Sequence, residues 1–358
     1  MNTPTIRIGS RGSQLALWQA NHVAALLRAD GHAVEIEVIR TAGDRLQDPA
    51  YAAAAGAEDL SPNGTGIFIK EIEDALAAGR IDLAVHSLKD LPTALDPRFT
   101  LAAVPARADA RDAFVCEEHW GLHMLPAGAR VATTSPRRQA MLLALRPDIE
   151  FVQMRGNIDT RLRKWEAGDA DALVLACAGL DRLGRTEHVH QRFSVDELTP
   201  APGQGALALQ VRSSDSALKG TGFSPSVEAV NKDGAGSPGL QPRVSTEGAG
   251  ECDLFIHDAV AALNCSSTAY AVTAERAVLH ALGGGCQLPL GAYCHLVDEA
   301  WHLHAMIVSP DGDQIAQVLQ TAPVGTAATD LGQSVAETLK SRGALELLSA
   351  PDSLLSTL

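Results

Sequence analysis

Twice in succession this chain alternates short apolar runs with helical apolar periods, and that βαβα order confines it to α/β architecture with parallel sheets. In the first round Ile6 to Gly9 is a short apolar run. A helix follows, capped by Ser13 and running through Arg28 with Leu15, Trp18, Leu26 and Leu27 among its apolar residues, and Gly31 ends it. Val34 to Ile39 alternates apolar and acidic residues as a half-exposed strand does, Phe68 to Ala78 has a helical period, and Ile81 to Val85 reads as a mostly buried strand. The second round comprises Val131 to Thr133, Arg137 to Leu145, Ile149 to Met154, Ile158 to Ala167 and Ala172 to Ala176, strand and helix in turn. Ser135-Pro136 supplies a cap and a first-turn proline, so that helix aims free N–H groups above the sheet, where anions bind. A smaller α/β unit closes the chain, with helices over Thr268 to Leu282 and Thr329 to Ser341 and a strand over Trp301 to Val308.

Three segments interrupt this order. From Ser213 to Glu251, 17 of 39 residues are Gly, Ser or Pro and no apolar period survives, as expected of a flexible insertion. Gly43 to Gly66 is a polar, alanine-rich connection, too long for a compact domain unless it is a lid or a disordered loop. Pro202-Gly203-Gln204-Gly205 reads as a tight crossing between domains, hence a hinge, or as an ordinary loop beside a strand at Ala206 to Val211.

Charge narrows the function. The chain carries 29 Lys and Arg against 43 Asp and Glu, a formal net charge of −14, which excludes a protein that coats nucleic acid or anionic membrane. Any anion site is therefore local. Between Arg130 and Trp165 eight basic residues face three acidic ones, a local excess of +5. Met1 to Arg11 lacks a secretory apolar stretch and no segment approaches the roughly 18 apolar residues of a membrane span. Six cysteines without a CxxC pair fit reduced thiols, so a cytoplasmic protein is expected.

Arg137, Arg138, Arg155 and Arg161 crowd where element ends meet, at the sheet edge where ligands bind, and their planar forks match carboxylate or phosphate. Arg146, Arg163 and Lys164 read instead as solvated helix faces. The strand at Ile81 to Val85 ends in His86-Ser87-Leu88-Lys89-Asp90, which makes Asp90 an acid–base candidate able to protonate a leaving amine or stabilise a developing cation. The alternative is that Asp90 pairs with Lys89 or caps a turn. Gly283-Gly284-Gly285-Cys286-Gln287 presents a thiol on a glycine loop, although most lone cysteines are buried and inert. Cys294, His295, His302 and His304 match no metal-ligand spacing, so no metal is expected.

These pieces together resemble the porphobilinogen deaminase (hydroxymethylbilane synthase) family over nearly the whole chain. The resemblance rests on IGSRGSQLALWQA (Ile8 to Ala20), FIKEIEDAL (Phe68 to Leu76), DLAVHSLKDLPT (Asp82 to Thr93) and TTSPRRQA (Thr133 to Ala140). It continues through MRGNIDTRL (Met154 to Leu162), APGQGALAL (Ala201 to Leu209), VTAERA (Val272 to Ala277) and GGCQLPLGAY (Gly284 to Tyr293). It implies a transferase of tetrapyrrole, porphyrin and heme biosynthesis that condenses four porphobilinogen molecules head to tail onto a dipyrromethane cofactor, held by a thioether to Cys286. Ammonia is lost at each addition and water releases hydroxymethylbilane. Asp90 matches the family's catalytic acid. Arg11, Ser13, Lys89, Ser135, Arg137, Arg138, Arg155, Arg161 and Arg182 match positions that bind cofactor or substrate side chains. The +5 segment suits a growing chain of acetate and propionate groups.

The resemblance also implies a fold class: two periplasmic-binding-protein-like α/β domains flanking a cleft, plus a small C-terminal α/β domain carrying the cofactor cysteine. The expected boundaries are 1–105 with 200–212, 106–199, an insertion at 213–251, and 252–358, with hinges near Pro105 and Thr199. Porphobilinogen and oligopyrrole intermediates are the implied partners, with a monomer and a transient hand-over to uroporphyrinogen-III synthase. Two departures stand out. Gly64-Thr65-Gly66 replaces the family's glycine-lysine-glycine, so Thr65 stands where a lid lysine is usual and Lys70 remains, and the Ser213 to Glu251 insertion has no family counterpart. A non-catalytic two-lobed anion-binding module is the competing reading, but it needs neither Asp90 at a strand end nor Cys286 on a glycine loop.

Overall fold

The computed structural model of the protein describes residues 4–41, 69–117, 121–213, 249–284 and 288–349. The connection at 43–66 with Thr65, residues 214–248 of the Gly/Ser/Pro-rich stretch, and Cys286 lie outside the described residues.

The first sheet begins with β1 (Ile6–Ser10), whose Ile6 and Ile8 are buried on the face over which α1 (Gln14–Ala29) packs. Ser13 Oγ accepts the Ala16 N–H at 3.4 Å and so starts α1, while Ala20, Val23, Ala24 and Leu27 recur at helical spacing and face the sheet. β2 (Val34–Val38) pairs parallel with β1, α2 (Lys70–Ala77) precedes β3 (Leu83–Ser87), and β3 lies parallel on the other side of β1. β4 (Phe99–Ala103) completes the early part of the sheet.

The second lobe has the same order in a second sheet. β5 (Asp112–Cys116), β6 (Arg130–Ala132), α3 (Pro136–Leu145), β7 (Glu150–Val152), α4 (Ile158–Glu166), β8 (Ala172–Ala176), α5 (Cys177–Leu183) and β9 (Val189–Arg192) build the strand order β7-β6-β8-β5-β9. The chain then returns as β10 (Leu207–Arg212), which inserts between β3 and β4 to give β2-β1-β3-β10-β4.

The expectation of parallel sheets is corrected by two strands. β10 runs antiparallel to β3 and β4, and β5 runs antiparallel to β8 and β9. Both follow a crossing between lobes and so enter their sheets from the opposite end, without a crossover helix to reverse them. The sheets are mixed.

α6 spans Ala249–Ala261. It starts within the stretch read as insertion, and Ile256, Ala259 and Val260 enter the apolar core of the first sheet beside Val211 and Ile6. After α7 (Ser266–Ala281) come β11 (Leu290–Val297), β12 (Ala300–Val308) and β13 (Ile315–Pro323), an antiparallel sheet, with α8 (Ala328–Ser341) and α9 (Ala344–Ser349). Its apolar core joins α7 and α8 to one face, while Met306 and Val308 on the other face enter the core of the second lobe.

One buried carboxylate ties these parts together. Glu275 on α7 is 0% exposed and takes both arms of Arg107 at 2.6 and 3.1 Å, the Gly203 N–H at 2.7 Å and the Cys294 N–H at 2.8 Å. It thereby joins the third unit to both crossings. Removing one partner of a buried ion pair leaves an uncompensated charge, which typically costs about 3–5 kcal/mol. Glu275→Ala is expected to lower the unfolding free energy by that order in urea titrations, and an unchanged midpoint would refute the tie.

Candidate active site

The carboxyl ends of the parallel strands in both lobes face one another across a cleft of about 300 Å³. Arg11 and Ser13 reach it from the end of β1, and Ser87 and Lys89 from the end of β3. The opposite wall carries Arg138 from the start of α3, Arg161 from α4 and Arg182 from α5. Parallel strands deliver their following loops to a common edge, which is why residues so far apart in sequence converge. A second hollow, over Ile315, Gln317, Leu319 and Arg342, lies on an open strand face with no acid or nucleophile among its lining residues.

The cleft is built on a buried charge cluster. Asp112, the first residue of β5, is 0% exposed, and its Oδ1 accepts from Arg138 Nη2 at 2.6 Å and Nε at 3.0 Å. Arg137 Nη1 lies 2.8 Å from Asp112 Oδ2 and donates to the Thr199 carbonyl at 2.7 Å. Burial alone would push the Asp112 carboxyl up. The charges of Arg137 and Arg138 outweigh it and hold the carboxylate well below the usual range.

Gln204 extends the cluster to the opposite lobe. Its Nε2 donates to Asp112 Oδ1 at 2.9 Å and to the Ala110 carbonyl at 2.7 Å, while its Oε1 accepts from Lys89 Nζ at 3.2 Å. Next to it Gly205, at φ +86, passes so near the other crossing that a Cβ would lie 2.7 Å from the Ala108 carbonyl oxygen. Only glycine fits there, and Ala108 N–H bonds Gly205 O at 3.2 Å. The two crossings thus run side by side directly behind the cleft.

The sequence candidates separate into groups. Arg11, Ser13, Lys89, Arg138, Arg161 and Arg182 line the cleft. Arg137, 4% exposed, pairs with Asp112 behind the cleft wall. Ser135 caps α3 by accepting the Arg138 N–H at 3.5 Å, Arg155 is exposed at the turn after β7, and Lys70 is exposed at the first residue of α2. None of these four belongs to the cleft lining. Of the predicted solvated cations, Arg146 pairs with Asp148 at 2.7 Å on the outer surface.

Asp90 follows Lys89 in a single 3₁₀ turn, Leu88–Asp90, at the end of β3. Asp90 is exposed to solvent and, like those four, is not among the residues that line the cleft, although its neighbour Lys89 is. Loss of hydration beside the protein raises its pKa, while Lys89 and Arg11 pull it down. No ion pair of 4 Å or less joins Asp90 to Lys89 among the described residues, although the two charges act on each other. Enclosure, helped by the charge of Arg138, lowers the Lys89 ammonium to about 8.

Arg161 and Arg182 differ from the inner pair. Each donates to a backbone carbonyl, Arg161 to Gly156 at 2.9 Å and Arg182 to Gly205 at 2.7 Å, and Arg182 also lies 5.7 Å from the Trp18 ring centre. Neither has a carboxylate within ion-pair distance among the described residues. Burial lowers both, Arg182 to about 10. Half-buried cations without counter-charge make an anion the natural occupant of this space.

Sequence reasoning missed Asp112, Gln204, Arg107 and Glu275. Asp112 opens the apolar run DAFVC and Glu275 sits on the apolar stripe of VTAERAVL, so an acid at a buried position was the available signal. Gln204 was flanked by the glycines that drew attention to the crossing.

Comparison with known proteins follows the same lines. The family model described as porphobilinogen deaminase, dipyromethane cofactor binding domain, matches residues 6–220, and that of the porphobilinogen deaminase C-terminal domain matches 269–341. The porphobilinogen deaminase of Syntrophotalea carbinolica is 39% identical over 354 residues, covering 98% of each chain. That of Rubrobacter xylanophilus is 41% identical over 341 residues, 95% of each chain. Among solved structures, the methionine binding protein MetQ matches 72% of this chain and 89% of its own at TM-score 0.38 and 10% identity.

The lowered Lys89 gives two pH effects of opposite sign. Its ammonium is lost as pH rises through about 8, so binding of a polycarboxylate is expected to weaken there, and Lys89→Arg to flatten that limb. Between about 8 and 10.5 the unfolded chain holds the proton that the folded chain has released, so Lys89 makes the ligand-free fold more stable as pH rises. Urea midpoints of wild type against Lys89→Met across that range check the sign.

Proposed function

Because this chain belongs to the porphobilinogen deaminase family, we propose that Asp90 and the cations of the cleft carry the family's reaction. That reaction is hydroxymethylbilane synthesis, a transferase step of tetrapyrrole formation in which four porphobilinogen molecules are joined head to tail with loss of ammonia. The family's covalent dipyrromethane, which we assign to a thioether on Cys286, supplies a pyrrole carbon as the nucleophile.

The observation that carries this reading is a cleft in which Arg161 and Arg182 have no carboxylate within ion-pair distance among the described residues, with the Asp90 carboxyl on the turn that follows Lys89. Every porphobilinogen unit brings an acetate and a propionate, and a polycarboxylate supplies the missing counter-charge. Arg138, Arg161 and Arg182 on one wall, and Arg11, Ser13 and Lys89 on the other, are the groups that would hold those acids. Arg137 acts through Asp112, and Ser135 by fixing the start of α3. Arg155 would meet the chain from outside the cleft, and Lys70 with Thr65 would belong to a lid.

Asp90 would serve two tasks. At the end of β3 its carboxyl would give a proton to the departing amine of porphobilinogen, so that the C–N bond breaks with its electron pair on nitrogen and ammonia leaves. The carboxylate that remains faces the positive charge left on the substrate pyrrole, and Lys89 and Arg11 stabilise that anion. Gln204 ties Lys89 to Asp112 and so keeps the ammonium beside Asp90.

For the domains we propose that 106–199 moves against 1–105 and 200–212, with hinges near Pro105 and Thr199. The family is also the ground for proposing a monomer that hands its product to uroporphyrinogen-III synthase. Among the described residues no helix is long and apolar enough to cross a membrane.

Intact-protein mass tests the attachment: wild type is expected to exceed its sequence mass by one dipyrromethane, and Cys286→Ser to match its sequence mass. An active wild type at bare sequence mass would overturn it. Asp90→Ala is expected to bind porphobilinogen and to lose about 10²- to 10⁴-fold in turnover, the range usual for a lost general acid. Full turnover in that variant would remove Asp90 from the mechanism.

A further inference from the structure

Arg276 on α7 reaches across to the segment that follows Asp90. Its guanidinium donates to three successive backbone carbonyls, Leu91 at 3.3 Å, Pro92 at 2.6 Å and Thr93 at 3.1 Å. None of these residues belongs to a helix or strand, so their carbonyls have no ladder partner.

The same helix then leads to the thiol segment. It ends at Ala281, and Gly284, two residues before Cys286, has φ +51 and lies against Thr93: a Cβ there would sit 2.9 Å from Thr93 Oγ1. α7 therefore meets the Asp90 segment at two points, through a charged fork and through a close glycine contact. Cohesion does not require the fork. Leu88 and Leu91 already share a buried apolar cluster with Ala269 and Val272 of α7. Apolar contact is non-directional, whereas three charge-assisted hydrogen bonds from one planar group fix both distance and orientation.

We propose that Arg276 is a positioning residue, which sets the Asp90 carboxyl in register with the chain segment leading to Cys286. It acts through Leu91 to Thr93. The proposal rests on the reading of Asp90 as acid and Cys286 as attachment point. It implies that the end of α7 and the turn bearing Asp90 stay together when the lobes move.

Arg276 is half-exposed and off the apolar stripe of α7, so substitutions there leave the core intact. Misplacement on the order of 1 Å can cost up to about 10²-fold in rate, and loss of one of two fixing contacts is expected to cost about tenfold. In Arg276→Gln the holoprotein should lose about tenfold in kcat with KM for porphobilinogen and the thermal midpoint close to wild type. A second readout does not use turnover. Apoprotein incubated with porphobilinogen should gain the dipyrromethane mass more slowly by a similar factor. Arg276→Lys, which keeps the charge but not the fork, should fall between, and it carries the test if Arg276→Gln does not fold. Wild-type kcat and loading rate in either folded variant would overturn the proposal, as would losses that track the thermal midpoint alone. Full turnover in Asp90→Ala would instead overturn the underlying reading, and the proposal with it.

Discussion

Two guanidinium groups cannot be brought to neighbouring positions inside a protein without an anion between them, and Asp112 is that anion. At 0% exposure it faces Arg137 and Arg138 together, and Gln204 closes the remaining side. In a low-dielectric interior each of these charges alone would be strongly disfavoured, so the cluster forms as a unit or not at all. Much of the cleft is registered to it. The start of α3, the first residue of β5, the crossing at Thr199 to Gln204 and the ammonium of Lys89 are all bonded to this one group or to its immediate partners.

Beyond that neutralised centre the balance reverses. Arg161 and Arg182 are held in place by carbonyl dipoles rather than by carboxylates. A protein with a formal net charge of −14 has acids in excess, yet it keeps them away from these two positions. Fixed dipoles orient a cation without cancelling its charge, which leaves the field available to a ligand. An anion receptor needs the same arrangement, so the cations alone do not make an enzyme. A carboxyl beside an anion site weakens binding, so Asp90 is a feature that a receptor does not need and that the acid role proposed for it would explain.

The strand and helix alternation was legible because apolar spacing is local. Ser13 and Ser135 as caps, α1, α3, α4 and α7, and β1, β2 and β8 follow from residues a few positions apart. Strand direction was not legible. Nothing in Leu207–Arg212 says that it returns antiparallel between β3 and β4, since pairing is decided by where the chain re-enters the lobe. The cations of the cleft were visible as a cluster, but which of two adjacent arginines faces it was not. Arg137 and Arg138 differ only in helical phase, and the partner that fixes the phase, Asp112, lies some two dozen positions earlier. Acid at an apolar position was the overlooked sign for both Asp112 and Glu275.

The placement of β10 has a consequence for how the molecule is made. β4 pairs with β10 and with no other strand of its sheet, and β3 has β10 on its free side. During synthesis the first lobe therefore stays open along two strand edges until residue 212 has emerged, after the whole second lobe. Pairings at such sequence separation form late and slowly, and exposed edges invite association with other chains in the meantime. The lobe that begins first finishes last. A nascent chain halted between residues 105 and 205 would be the most aggregation-prone form of this protein.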